Sequence, residues 1–390
     1  MKRVITFSLA LLLMLSNIMC HKIPAFAEAV YVRKIVSVVY DDSGSMRGDK
    51  WAYANYAMQA FSGMLNDGDT LYITYMSDVK SGNSTSKKVD LSAKGIQGAV
   101  DTIRNHKKEC DSTPFSAVDV AFNTLKNVNQ QQANAQYWLV VITDGAFDEC
   151  GYMSYSERKN FLNDKFEEFA SATMPNGTNP NITFMAIGDG VATPDDNESK
   201  KIYAYTSNST DEITDVMSKM SAKVSGRTIL SKSSMTQPDG KTVRISSPVP
   251  LLNIAVFSQD TSSKLIKATA GSKKLSVIRQ VSLDYPGYDD LTAGAYLLEN
   301  PKKIIEAGTY DIVFDGDVNA NAVDILYEPA LEVKVSAMVD GKEITDIKQL
   351  EGVPAGKDVA VVCRVYEMGT GKEIESSALP DGTNFEIQVY

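Results

Sequence analysis

Histidine is almost missing from this 390-residue chain: there are two, His21 and His106. After the leader described below is removed, any Ser-His-Asp or Cys-His arrangement would have to use His106. That residue stands among Arg104, Lys107 and Lys108 and reads as a surface side chain. No Gly-Xaa-Ser-Xaa-Gly or Walker-type loop is present. Long apolar runs are lacking as well, so no segment reaches the ~20 residues of a spanning helix. Positive charge is in short supply, with 39 Lys and Arg against 49 Asp and Glu, a net charge of −10 and a pI near 4.9. That balance disfavours sequence-independent binding to nucleic acid or anionic lipid. The expectation is a protein that is not an enzyme. Metal-assisted hydrolysis is the least implausible catalytic form.

What is present begins with a targeting segment. Lys2 and Arg3 precede the apolar run Val4 to Leu15, and Ala25-Phe26-Ala27 before Glu28 is a small-Xaa-small cleavage site. Residues 1–27 therefore read as a cleaved signal peptide of bacterial type. A lipoprotein reading at Cys20 is weaker, because Met19 is bulky where a small residue precedes a lipidated cysteine. Export, to the medium or the cell surface, leaves Cys110, Cys150 and Cys363 where disulfides persist. Cys363, in an apolar strand-like run, reads as a buried thiol. No anchor follows the leader, so the protein is either freely secreted or a piece of a longer chain.

The length predicts two or three domains, and 43% hydrophobic content can fill a sizeable core. Over 30–225, strand-like and helix-like patterns alternate. They predict an α/β domain with a doubly wound, mostly parallel six-stranded sheet and helices on both faces. Its strands are Ile35 to Tyr40, Leu71 to Met76, Lys88 to Leu91, Tyr137 to Thr143, Ile182 to Gly188 and Ile202 to Tyr205. Ala54, Met58, Phe61 and Leu65 form one helical stripe; Leu162, Phe166 and Phe169 form another. A last helix runs from Asp211 to Val224.

After Gly226-Arg227 short strands alternate with Gly, Pro, Asp and Asn. This predicts an all-β, immunoglobulin-like sandwich over 227–328, with strands at Thr242 to Ser246, Leu252 to Phe257, Leu265 to Thr269, Leu275 to Val281, Thr309 to Phe314 and Ala322 to Tyr327. A second, apparently partial β domain covers 329–390, from Leu331 to Val339, Val359 to Val365 and Phe385 to Tyr390. Both β modules are expected to follow as a stalk.

Three polar turns carry the chemistry. Val36 to Tyr40 runs into Asp41-Asp42-Ser43-Gly44-Ser45. Alternate residues of an extended chain share a side, so Asp41, Ser43 and Ser45 can converge. Oxygen donors without imidazole or thiol suit Mg²⁺, Mn²⁺ or Ca²⁺. Cys110-Asp111-Ser112-Thr113-Pro114 precedes a helix, and Asp144-Gly145 ends a strand. Taken singly, the first is a strand-end turn, Thr113 a helix cap, and Asp144-Gly145 a common turn pair.

Together, in this order and at these separations, the three segments resemble the von Willebrand factor A domain, the fold of the integrin inserted domain, with its metal-ion-dependent adhesion site. The resemblance covers about 30–225. It implies that Ser43, Ser45 and Thr113 bind a divalent ion directly, while Asp41 and Asp144 hold it largely through water. Hydroxyl ligands leave the ion poorly neutralised and open to an outside carboxylate, so the implied partner is a protein presenting Asp or Glu. Asp42, Asp111, Asp148 and Glu149 are expected to be a solvated rim. Cys110 and Cys150, on two loops that this fold brings to the metal edge, are expected to form a disulfide.

The first strand followed by Asp41-Asp42-Ser43 is also similar to haloacid-dehalogenase-like phosphatases, but Ser43 stands where those need a second Asp. The overall expectation is an extracellular adhesion or binding module using Mg²⁺, with Mn²⁺ or Ca²⁺ as substitutes. The rival is an assembly subunit of a surface structure whose metal is purely structural.

Overall fold

The computed structural model describes residues 32–107, 112–128, 135–300, 304–345, 358–375, 377 and 379. The leader and the final strand expected at Phe385 to Tyr390 lie outside the described residues. The chain divides into two compact units between Pro329 and Ala330.

The first unit opens with β1 (Arg33–Tyr40), whose last seven residues are all buried. A strand apolar on both sides needs cover on both faces, as parallel sheets have. The sheet that follows has the order β3-β2-β1-β4-β5-β6. Its other members are β2 (Thr70–Tyr75), β3 (Lys87–Val89), β4 (Ala135–Thr143), β5 (Asn181–Ile187) and β6 (Ile202–Ser207). Five strands run parallel, and the short, charged β3 pairs antiparallel at the edge. This is the mostly parallel six-stranded sheet that the alternating pattern predicts.

The helices are α1 (Asp49–Met64), the short α2 (Met76–Lys80), α3 (Ile96–Asn105), α4 (Ser116–Lys126), α5 (Tyr155–Ala170) and α6 (Ile213–Ser225). Val36, Val38, Tyr40, Val140 and Ile142 face α1, α3 and α6. The intervening Ile35, Val39, Leu139 and Val141 face α4 and α5. The period of two thus divides one strand between two cores. Ser154 and Glu157 close a capping box at the start of α5. Gly226, at φ 72°, ends α6 in the left-handed conformation that glycine adopts cheaply.

A second sheet of nine strands follows, in the order β7-β15-β10-β13-β12-β11-β14-β9-β8. Its strands are β7 (Thr228–Ile229), β8 (Thr236–Asp239), β9 (Thr242–Ser247), β10 (Leu251–Ser258), β11 (Leu265–Ala270), β12 (Lys273–Tyr285), β13 (Tyr288–Glu299), β14 (Gly308–Phe314) and β15 (Val323–Pro329). Ile254, Val256, Leu298 and Ile325 pack against Val243, Ile312 and Phe314, so the sheet folds over on itself. The opposite face of its central strands, with Ala255, Phe257, Ala293, Ala295 and Leu297, joins the core under α1 and α6. The change of texture at Gly226 therefore marks a change of secondary structure and not a break in packing. This β portion lies directly on the α/β portion instead of standing off it as a stalk.

α1 is consequently covered on both sides and buries Asn55, Gln59, Ser62 and Gly63 besides its apolar stripe. The polar ones are satisfied: Asn55 Nδ2 donates to Ile103 O at 2.8 Å, Gln59 Nε2 to Asp284 O at 3.0 Å, and Ser62 Oγ to Met58 O at 2.9 Å. Gly63 faces β13, where a Cβ would stand in ordinary contact, 3.9 Å from Ala295. The last carbonyls of a helix have no partner within it. Here two buried arginines from beyond α6 supply one: Arg227 donates to Met64 O, and Arg279 to Gly63 O (2.6 Å) and Leu65 O. Arg279 also donates to Leu91 O at 3.2 Å. Beside them, buried Lys34 pairs with buried Glu328 at 3.0 Å.

The second unit is a four-stranded antiparallel sheet, β17-β16-β18-β19, built from β16 (Leu331–Val339), β17 (Lys342–Ile344), β18 (Val359–Glu367) and β19 (Glu373–Ile374). Cys363 is exposed there, contrary to expectation. It shares a strand side with exposed Val359 and Val361. No described helix is long and apolar enough to cross a membrane.

Arg279→Met removes the guanidinium and leaves buried carbonyls without a donor. We predict a loss of about 3 kcal/mol in urea unfolding. Arg244→Met, which breaks a half-exposed pair with Asp311, is predicted to leave the urea midpoint nearly unchanged.

Candidate metal site

β1 and β4 are neighbours, with Tyr40 beside Ile142 in the register. The strand order turns back between them, so the loops after Tyr40 and Thr143 open at a topological switch point. Ligands of open α/β sheets bind at such crevices. Asp41 N donates to Ile142 O at 3.0 Å, which continues the ladder one residue into the loop.

Asp41 is fully buried. Its Oδ1 accepts from Ser43 N at 2.9 Å, the local turn that aspartate favours. Its Oδ2 accepts from Thr143 Oγ1 at 2.6 Å and Asp144 N at 3.4 Å. One carboxylate thus clamps both loops. Burial pushes its pKa up, and the bonds from Ser43 and Thr143 only partly offset this. Met46, also fully buried, anchors the far end of the first loop.

The remaining groups form a chain of short contacts. Ser43 Oγ lies 2.9 Å from Ser45 Oγ, which donates to Asp144 Oδ1 at 2.7 Å. Asp144 Oδ2 meets the ammonium of Lys50 at 2.5 Å. Hydrogen bonds therefore join Asp41, Ser43, Ser45 and Asp144 into one group.

Thr113 is turned toward the loop that carries Asp144. Its Oγ1 donates to Ala146 O at 2.7 Å, and its N–H to Asp148 Oδ1 at 3.0 Å. Among the described residues no hydrogen bond joins Thr113 to the other four.

The charged surroundings differ from the expected solvated rim. Asp42 is fully buried: it accepts from Ser77 N at 2.9 Å and from Ser77 Oγ, and pairs with His106 Nε2 at 2.9 Å. His106 is correspondingly no surface residue, since its ring stacks on Tyr75 with centroids 3.6 Å apart. Asp148 and Glu149 are exposed but not idle. Asp148 accepts from Ser112 Oγ and Thr113, and Glu149 Oε2 from Phe115 N at 2.8 Å, at the start of α4. Burial of Asp148 opposes ionisation, yet these bonds and nearby Lys80 hold its carboxyl below the usual range. Asp111 lies outside the described residues. So does Cys110, and with it the expected disulfide. Cys150 is a buried free thiol whose pKa burial raises.

Sequence reasoning missed Lys50. Its signal was a basic residue in the first turn of a helix, where negative charge is favoured. The β12–β13 hairpin was missed too. Its Pro286-Gly287 turn, with Gly287 at φ 88°, brings Tyr288 Oη to Asp49 Oδ1 at 2.6 Å. The β portion therefore reaches the edge of the site.

The donors fit a hard divalent cation: two carboxylates and two hydroxyls, all oxygen, opposed by a single ammonium. Among the described residues no three His, Cys, Asp or Glu side chains group to hold an ion. An ion here would depend on the hydroxyls of Ser43 and Ser45.

Asp148→Ala removes the acceptor that fixes Thr113. Amide exchange at Thr113 is predicted to quicken about tenfold, read by hydrogen-exchange mass spectrometry, with the global melting unchanged.

No family model matches the chain, and no curated protein matches it. Among solved structures it is similar to a von Willebrand factor type A protein from Catenulispora acidiphila, at 12% identity and TM-score 0.33, over 87% of this chain and 67% of that one. It is also similar to proximal thread matrix protein 1 from the mussel byssus, solved with a zinc-occupied MIDAS motif, at 16% identity and TM-score 0.32, over 51% and 47%. A third is the pilus adhesin SpaC from Lactobacillus rhamnosus GG in its open conformation, at 10% identity and TM-score 0.34, over 90% and 53%. The chain spans about half the length of the last two.

Proposed function

We propose that this chain is an extracellular protein-binding module, of the adhesion type, that presents a divalent ion to a carboxylate of a partner protein. The observation that supports it best is the meeting of Asp41, Ser43, Ser45 and Asp144 at the switch point between β1 and β4. Ser43 and Ser45 would hold the ion through neutral hydroxyls, and Asp144 would balance its charge. Asp41 would act mainly by keeping the two loops in register. Thr113, on the adjoining loop, is the remaining candidate ligand. When bound, the ion supplies an electrophilic position that accepts an anionic oxygen. Mg²⁺ is the proposed ion, with Mn²⁺ and Ca²⁺ as substitutes.

A binding role is preferred to a catalytic one. His106 is engaged with Asp42 and Tyr75, and among the described residues the hydroxyls of Ser43 and Ser45 have beside them only carboxylates that are already occupied. Export and surface display remain part of the proposal, on the strength of the leader in the sequence.

The test is Mg²⁺-dependent capture of Asp- and Glu-bearing peptides from an immobilised library. Binding is expected to disappear with EDTA, and in Ser43→Ala and Asp41→Ala variants whose thermal melts show a folded chain. Capture that survives both treatments would contradict the metal bridge and favour an assembly role in which an ion only closes the loops.

A further inference from the structure

Lys50 is the part of the site that this reading leaves unused. It stands in the first turn of α1, where the helix dipole disfavours a cation. Its ammonium nevertheless lies 2.5 Å from Asp144 Oδ2. The Asp144 side chain has no solvent exposure, whereas that of Lys50 keeps 31%. With Ser45 on Oδ1 and Lys50 on Oδ2, the chain's own donors engage both oxygens of Asp144. The nearest acidic neighbour on α1, Asp49, accepts from Tyr288 Oη.

We propose that Lys50 is a tethered counter-cation that holds the metal-free site closed and is displaced when a divalent ion enters, so that it sets the site's metal affinity. The inference rests on the metal reading above. An adjacent positive charge favours a buried carboxylate, and Lys50 supplies that charge to Asp144. Lysine suits the task, because it is a compact charge on a flexible four-carbon stem. Its partial exposure gives it a route to solvent without moving the helix. An ammonium and a divalent ion repel strongly at this range, so they occupy Asp144 in turn and not together. The site therefore exchanges one cation for another, and its loops stay ordered before the ion arrives.

The test is calorimetric titration of the full chain with Mg²⁺ alone. Lys50→Met is expected to bind about tenfold more tightly than the natural protein, while Lys50→Arg, which keeps the charge, stays close to it. Equal or weaker binding by a folded Lys50→Met overturns the inference while leaving the metal reading intact. Absence of binding in both the natural chain and Lys50→Met overturns both. A second measurement uses the natural chain only: acetylation of Lys50 by acetic anhydride, read by peptide mass. It is expected to be slow in EDTA and about tenfold faster in saturating Mg²⁺, on the same ion-pair argument. A rate that Mg²⁺ leaves unchanged contradicts displacement.

Discussion

The carboxylate of Asp41 joins two loops that are about a hundred residues apart in sequence and adjacent in space. Its oxygens take the Ser43 amide on one side and the Thr143 hydroxyl on the other. Such a group is costly to bury, and burial correspondingly pushes its pKa up. In return it fixes where Ser43, Ser45 and Asp144 stand relative to one another. The neighbouring Asp42 does similar work in the other direction, tying the same loop to Ser77 and His106. Two adjacent acids thus position the loop while a third, Asp144, carries the exchangeable charge.

A second constraint is that α1 is shared. One side lies on the parallel sheet and the other under β12 and β13, which is why its buried face includes Asn55 and Gln59 as well as Phe61. Its C-terminal carbonyls are completed by Arg227 and Arg279, and its N-terminal turn carries Lys50 and meets Tyr288. The helix that bears the counter-cation is therefore held at both ends by residues from the β portion. On the proposed reading, a partner docking at the candidate site would meet the β12–β13 hairpin tip as well as the loops of the α/β portion.

Much of this was readable in the chain. The apolar run Ile35 to Tyr40 had to be a strand covered on both faces, and its collision with Asp41 marked the loop that carries the candidate site. β13 escaped notice because its helix-facing side includes Ala293 and Ala295, small residues of low strand propensity. Cys363 was misplaced because the run from Val359 to Val365 is apolar at both parities, so no period says which side is covered. Asp42 and His106 were misread for a different reason. Each is a polar side chain in a polar stretch, and only the fold reveals that they are each other's partner. Long-range polar pairing leaves no local signature.

The central claim, that the oxygens after β1 and β4 form a divalent-ion site, is tested most directly by anomalous scattering from crystals of the full chain grown with Mn²⁺. The account predicts a manganese peak ligated by the hydroxyls of Ser43 and Ser45 beside Asp144, with the Lys50 ammonium withdrawn. A peak elsewhere, or none there with Lys50 still paired to Asp144 at saturating Mn²⁺, would contradict it.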